Sequence, residues 1–246
     1  MSEATVVTLP LGRRPLPSAG QVDLWISDLG SFPLLVEQPP SDSLEQRQSL
    51  KFGQRFLLRL LLGSYLGCPG KDIRFEYGAT GKPVLVPELA SSGLQFNLSH
   101  SGDWLAIAVT PGSPVGVDIE CRRELPRSSA LAHRFLSFPE AQLIDELVEP
   151  ERSARFLAFW SRREALVKAM GASVVASTAS IALEPVDGRP LALPSDWPAI
   201  SHWTLLEPAL PSELIGALAL PQPGQTVKTM VLETAPVLPS SGVPIG

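Results

Sequence analysis

Gly116-Val117-Asp118-Ile119-Glu120 reads as a β-strand, because Val115, Val117 and Ile119 alternate with Gly116, Asp118 and Glu120. Side chains two apart on a strand share a face. The apolar set therefore enters a core, and Asp118 and Glu120 project side by side. Two carboxylates so placed repel each other, so something positive belongs between them. Mg²⁺ meets that need: it takes one or two protein carboxylates, keeps waters, and completes its shell with substrate phosphates. A solvated strand face ending in a turn has the same pattern, and Asp-x-Glu alone carries little specificity. The neighbouring segments have to decide.

Downstream, Arg152–Met170 has helical periodicity, and Gly171 stands where such a helix stops. Phe156, Trp160, Glu164 and Lys168 are four apart and form one row. The ordinary reading of Glu164 and Lys168 is an i,i+4 surface pair worth about 0.2–0.5 kcal/mol. The two aromatics at the head of the row point instead to a buried inner end. A third carboxylate there would complete a cation-binding set, with an ammonium one turn away to hold a phosphate.

Upstream, strands are expected at Leu94–Asn97 and Trp104–Thr110, flanking a tight polar connection at Leu98–Asp103. Ser99, His100 and Ser101 in such a turn could cradle phosphate, or simply satisfy their own backbone. Lys82, in Gly81-Lys82-Pro83, is held extended by the proline after it, so its ammonium can be aimed. Arg55 and Arg59 share a face of the first long helix, expected over Ser43–Leu66.

The 246 residues, 44% of them hydrophobic, suit one globular unit of one or two domains. A formal charge of −5 argues against a broad basic face for nucleic acid. No apolar run is long enough to span a bilayer. Neither nucleic acid nor membrane is therefore an expected partner. Cys68 and Cys121 have no metal or redox spacing and read as free thiols of a soluble, cytoplasmic protein. Met1–Gly20 reads as an arm, Ser31–Pro40 as a proline-rich loop and Ala235–Gly246 as a mobile tail. Short strands are expected at Ile73–Tyr77 and Pro83–Val86. Ser128–Leu136 is expected as a helix, and another should begin at the capping-box sequence Ser137-Phe138-Pro139-Glu140. Strands should follow at Ile181–Leu183, Pro190–Leu193, His202–Leu206, Leu214–Leu220 and Val227–Leu232. Both halves place a long helix before antiparallel strands, which hints at a duplicated α+β unit.

Gly-Lys-Pro (81–83), Phe-Asn-Leu-Ser-His-Ser (96–101), Gly-Val-Asp-Ile-Glu (116–120), Arg-Phe-Leu-Ser-x-x-Glu (134–140) and Trp-Ser-x-x-Glu-Ala-x-x-Lys-Ala-x-Gly (160–171) occur in this order. Together they closely resemble the 4'-phosphopantetheinyl transferases of the larger, surfactin-synthetase-activating type. The match runs from about Arg55 to about Leu183. The resemblance implies an enzyme that moves the 4'-phosphopantetheine arm of coenzyme A onto a serine of an acyl or peptidyl carrier protein, releasing 3',5'-ADP. It implies an α+β fold of two similar halves about a pseudo-twofold axis, with the active site in the cleft between them. The boundaries would be an arm at 1–20, halves at 21–114 and 115–234, and a tail at 235–246. It implies Asp118, Glu120 and Glu164 as Mg²⁺ ligands, with Lys168 neutralising the pyrophosphate and protonating the leaving group. Ser99 and His100 would lie on the phosphate side of coenzyme A, Lys82 near its nucleotide phosphates, and Arg55 near its 3'-phosphate end.

Glu140 matches a family acid close to the site, its role open. Arg163 stands where the family often has lysine. Arg47 and Lys51 are further candidates for coenzyme A contact. Arg122 and Arg123, with Phe135 and Phe138 near them, are candidates for a lip that meets an acidic carrier. A monomer is expected, since both halves are on one chain. The alternatives are another Mg²⁺-dependent phosphotransfer enzyme, although no Walker loop is present, a carrier-binding relative without chemistry, and a structural domain whose acids form a solvated rim.

Overall fold

The strand at Gly116 forms as its alternation predicts. It is β7 (Gly116–Cys121), and it crosses α5 (Glu151–Met170) at touching distance. A Cβ on Gly116 would stand 1.9 Å from the Ala165 carbonyl oxygen and 2.5 Å from the Ala169 nitrogen, so no side chain fits at the crossing. The helix ends at Gly171 in a left-handed conformation (φ 63°), which glycine adopts without penalty.

A computed structural model describes residues 4–32, 44–78, 80–173, 177 and 180–234. The expected loop beyond Phe32 and the expected tail Ala235–Gly246 lie outside the described residues. The chain begins with β1 (Thr5–Thr8), β2 (Gln21–Asp28) and α1 (Leu44–Leu66). Next come β3 (Phe75–Tyr77), β4 (Pro83–Leu85) and the short α2 (Pro87–Ala90). The hairpin β5 (Leu94–Ser101) and β6 (Trp104–Pro111) leads to β7. Two helices, α3 (Ser128–Phe135) and α4 (Phe138–Glu146), precede α5. After it run β8 (Ala182–Leu183), β9 (Pro190–Ala192), β10 (Thr204–Leu206), β11 (Leu214–Leu220) and β12 (Thr226–Glu233).

Among the described residues the strands form two principal sheets, in the orders β1-β12-β2-β6-β5 and β10-β11-β7. The class is α+β. Each sheet carries one long helix. On α1, Leu57, Leu58, Leu61, Leu62 and Tyr65 recur at helical spacing and bury against Trp25, Phe96, Leu105, Ile107 and Val109. On α5, Phe156, Phe159, Leu166 and Val167 bury against Ala217, Ala219 and the α3–α4 helices. A third cluster lies between the sheets: Val22, Leu24, Ile26, Ala106 and Ala108 meet Val117, Ile119, Leu214 and Leu218. Burying one such valine, leucine or isoleucine contributes about 1.5–3 kcal/mol. The junction of the halves is therefore a true core. It also explains why β2 is apolar on both faces: Trp25 faces α1, while Leu24 and Ile26 face the second sheet.

Three segments depart from their sequence pattern. The polar stretch expected as a turn at Leu98–Asp103 is strand as far as Ser101, and only Gly102-Asp103 turn. Its polar side chains find partners on β7, so they do not need a loop. The arm at 1–20 contains β1, which pairs in parallel with β12. β12, which the expected boundaries place in the second half (115–234), lies instead between β1 and β2 in the first sheet, parallel to both. Strand alternation carries no information on which sheet a strand joins. Among the described residues no helix is long and apolar enough to cross a membrane.

Candidate active site

β5 and β7 belong to different sheets, yet they are joined. Asn97 Oδ1 accepts the Val117 amide (3.0 Å), Ser99 Oγ the Ile119 amide (3.3 Å) and Ser101 Oγ the Cys121 amide (2.9 Å). Alternate side chains of β5 thus satisfy alternate N–H groups of β7, a demand that buried backbone makes everywhere. The seam sets the positions of Asp118 and Glu120, which lie between the bonded amides.

Asp118 is buried and is the most heavily engaged acid. Its Oδ1 accepts Lys168 Nζ at 2.6 Å and Ser99 Oγ at 2.8 Å, and Lys168 Nζ also donates to Ser99 Oγ at 3.1 Å. Burial pushes the Asp118 carboxyl up, and the Lys168 ammonium pulls it back. Its second oxygen, Oδ2, is buried with no hydrogen-bond partner. Glu120 accepts Ser101 Oγ at 3.1 Å and Arg123 Nη1 at 2.9 Å, both on Oε2. Glu164, one turn before Lys168 on α5, is pushed up to about 7, first by burial and then by Asp118 and Glu120, with Lys168 opposing. Glu164 therefore feels both β7 acids.

Lys82 projects from the β3–β4 turn and donates to the Lys168 carbonyl (2.7 Å) and the Val115 carbonyl (3.4 Å). It therefore ties the first half to the C-terminal end of α5, where a cation is favoured. Thr80 Oγ1 reinforces the tie on the Gly171 carbonyl at 3.2 Å. Burial lowers the Lys82 ammonium to about 8. The His100 imidazole is lowered by burial and next by Lys168, with Asp118 and Glu120 opposing.

A cavity of about 630 Å³ gathers Arg55, Lys82, Ser99, His100, Asp118, Glu120, Glu164 and Lys168. Of the residues singled out in the sequence for catalysis, phosphate, coenzyme A or metal, Ser101 and Arg47 do not line this space and the others do, Lys51 among them, together with Trp160. Arg59, one turn from Arg55, is turned away: its Nε donates to the Ile73 carbonyl at 3.2 Å and its guanidinium covers Phe75. Trp160 stacks on Phe156 and meets Phe135 edge-on, so the α5 row is aromatic at one end and charged at the other, as its spacing predicts.

Among the described residues no three His, Cys, Asp or Glu side chains form a ready metal cage. The donor chemistry nevertheless fits a hard cation. Asp118 Oδ2 is an orphaned carboxylate oxygen, and burial and two neighbouring acids make the Glu164 charge costly where it stands. A cation that keeps waters and takes phosphate oxygens needs no closed protein cage.

The sequence left three residues without their structural roles. Asn97 and Ser101 are members of the seam; their period-two spacing with Ser99 was the available signal. Glu140 is fully buried and forms an ion pair with the fully buried Arg163 inside the second half. It also accepts the Ser137 amide at 2.9 Å, closing the capping box. Arg163 donates further to the Ile181 carbonyl at 3.2 Å. This pair lines no part of the cavity, and the capping-box pattern was the only sign of it.

Comparison with known proteins supplies two family matches. Residues 114–207 match the family described as the 4'-phosphopantetheinyl transferase superfamily, and residues 45–112 the one described as 4'-phosphopantetheinyl transferase, N-terminal. The chain is 33% identical over 177 residues to the 4'-phosphopantetheinyl transferase HetI of Nostoc sp., covering 72% of each chain. It is 34% identical over 148 residues to the 4'-phosphopantetheinyl transferase AcpT of Escherichia coli, covering 60% of this chain and 71% of that one. It is 40% identical over 120 residues to the 4'-phosphopantetheinyl transferase psf-1 of Bacillus pumilus, covering 48% of each.

Proposed function

The chain belongs to the 4'-phosphopantetheinyl transferase superfamily, and from that premise we propose that it moves the 4'-phosphopantetheine arm of coenzyme A onto a serine of an acyl or peptidyl carrier protein. The serine oxygen forms a bond to the β-phosphorus of coenzyme A, the pyrophosphate bridge breaks, and 3',5'-ADP leaves. We assign it to the larger, surfactin-synthetase-activating type, acting as a monomer in the cytoplasm, since both halves are on one chain and its two cysteines are free. The observation that carries the reading is the convergence of Asp118, Glu120, Glu164 and Lys168 on one cavity that Arg55, Lys82 and His100 also line.

Such a transfer requires mostly positioning and charge neutralisation. Asp118, Glu120 and Glu164 would hold Mg²⁺ through hard oxygens, the orphaned Asp118 Oδ2 among them. Bound Mg²⁺ would supply Lewis-acid neutralisation of the pyrophosphate. Lys168 would meet the pyrophosphate and give its proton to the departing 3',5'-ADP. Glu164, on α5 beside the acids of β7, would take the serine proton. Ser99 and His100 would bind the phosphate side, Lys82 the nucleotide phosphates and Arg55 the 3'-phosphate end.

Two predictions follow from these roles. The Lys82 ammonium is lowered to about 8, and its charge is what attracts phosphate. Coenzyme A affinity should be full below that pH and fall as pH rises through it. The KM for coenzyme A, measured against pH, should therefore rise above about pH 8 in the wild type, and much less in Lys82→Arg, which stays charged. An identical rise in both would remove Lys82 from the binding role.

Carrier docking is assigned to the lip beside β7. Arg123 already neutralises Glu120, so reversing it would disturb the site itself. Arg122→Glu is the cleaner probe. It should raise the carrier KM severalfold and leave the coenzyme A KM alone; an unchanged carrier KM would move the lip elsewhere.

Product analysis tests the reaction class. Release of 3',5'-ADP only when apo carrier, coenzyme A and Mg²⁺ are all present supports transfer. Nucleotide cleavage without carrier would support a different phosphotransfer enzyme, and carrier binding without product a relative that has lost chemistry.

A further inference from the structure

The three stitches between β5 and β7 are not equivalent. Asn97 accepts the Val117 amide and touches no acid. A serine hydroxyl that accepts an amide still has its own proton to give. Ser99 gives that proton to Asp118 and Ser101 gives it to Glu120. Ser-x-Ser on β5 thus faces Asp-x-Glu on β7 in register, and each hydroxyl holds a backbone amide and the neighbouring carboxylate at once. Ser99 also meets Lys168 and lines the cavity. Ser101 does not line it, so its contact with Glu120 acts from behind.

We propose that Ser101 is a positioning residue: it fixes the Glu120 carboxylate for cation binding by engaging Oε2 and leaving Oε1 for the cavity. The other partner of Oε2, Arg123, is an exposed side chain whose ion pair is screened by solvent. The hydroxyl is the anchor that cannot drift, because the Cys121 amide holds it at 2.9 Å. Groups that orient a metal ligand in this way change metal affinity about 10–100-fold when removed. This inference rests on reading Glu120 as a cation ligand.

The test is the affinity for Mn²⁺, measured by electron paramagnetic resonance in the presence of coenzyme A, with the melting temperature recorded for each variant. Ser101→Ala should weaken Mn²⁺ binding at least about tenfold. Ser101→Thr, which keeps the hydroxyl, should hold close to the wild-type affinity. Asn97→Ala breaks a stitch beside Asp118 that itself meets no carboxylate, so it should lower the melting temperature and weaken Mn²⁺ clearly less than Ser101→Ala does. If Ser101→Ala does not fold, Ser101→Cys keeps the size and loses most of the hydrogen bonding. Unchanged Mn²⁺ affinity in the folded Ser101 variant would overturn the proposal, as would an equal loss in Asn97→Ala. A wild type that binds Mn²⁺ beside an unaffected Ser101 variant refutes this inference alone. A wild type that binds no Mn²⁺ with coenzyme A refutes the cation reading and this inference together.

Discussion

Asp118→Ala should lower turnover of carrier protein by at least about 10²-fold, the scale for losing one preorganised charge partner at a site of phosphoryl chemistry. Three connections fail at once in that variant. The orphaned Oδ2 is gone, Ser99 loses its acceptor, and the Lys168 ammonium loses the carboxylate that fixes it at 2.6 Å. Lys168 keeps partial access to solvent, so its charge is not stranded and the fold should survive. Steady-state kinetics on a variant with a wild-type circular dichroism spectrum measures the effect. A folded Asp118→Ala with near-normal turnover would contradict the site assignment.

The largest loss of stability is expected at Arg163. Its guanidinium and the Glu140 carboxylate are both fully buried, and removing one partner strands the other's charge. Arg163→Met should cost about 3–5 kcal/mol, read as a fall of roughly 6–20 °C in melting temperature for a chain of this size. Replacing both partners together, Arg163→Met with Glu140→Leu, should recover most of that, because no buried charge is then left unpaired. Arg163→Lys keeps the ion pair and should lose least, although it gives up the donor that reaches the Ile181 carbonyl. Thermal melts of the four proteins decide this. A single mutant as stable as the wild type would show that the pair is dispensable.

These two sites also mark what the sequence makes legible. Asp118 and Glu120 are readable because strand alternation is local: Val117 and Ile119 on the other face fix which way the acids point. The α5 row is readable for the same reason, and its aromatic inner end lies where the spacing puts it. Arg163 adjoins Glu164 in the chain, yet one residue along a helix turns the side chain by about 100°, into the second half's core and away from the cavity. Its partner Glu140 lies on α4, and nothing local pairs the two. The polar run of β5 has the sequence pattern of a turn, because hydrogen-bonding side chains usually mark turns. Here they replace a backbone ladder, and that requires β7 as a neighbour. The place of β12 between β1 and β2 is likewise a matter of topology, invisible to any window of sequence.

The most direct measurement is the intact mass of an apo carrier protein after incubation with this protein, coenzyme A and Mg²⁺, with an EDTA control. A mass gain of one phosphopantetheine arm, abolished by EDTA, is the predicted result. No gain on fatty-acid, polyketide or nonribosomal-peptide carriers would contradict the proposed transfer.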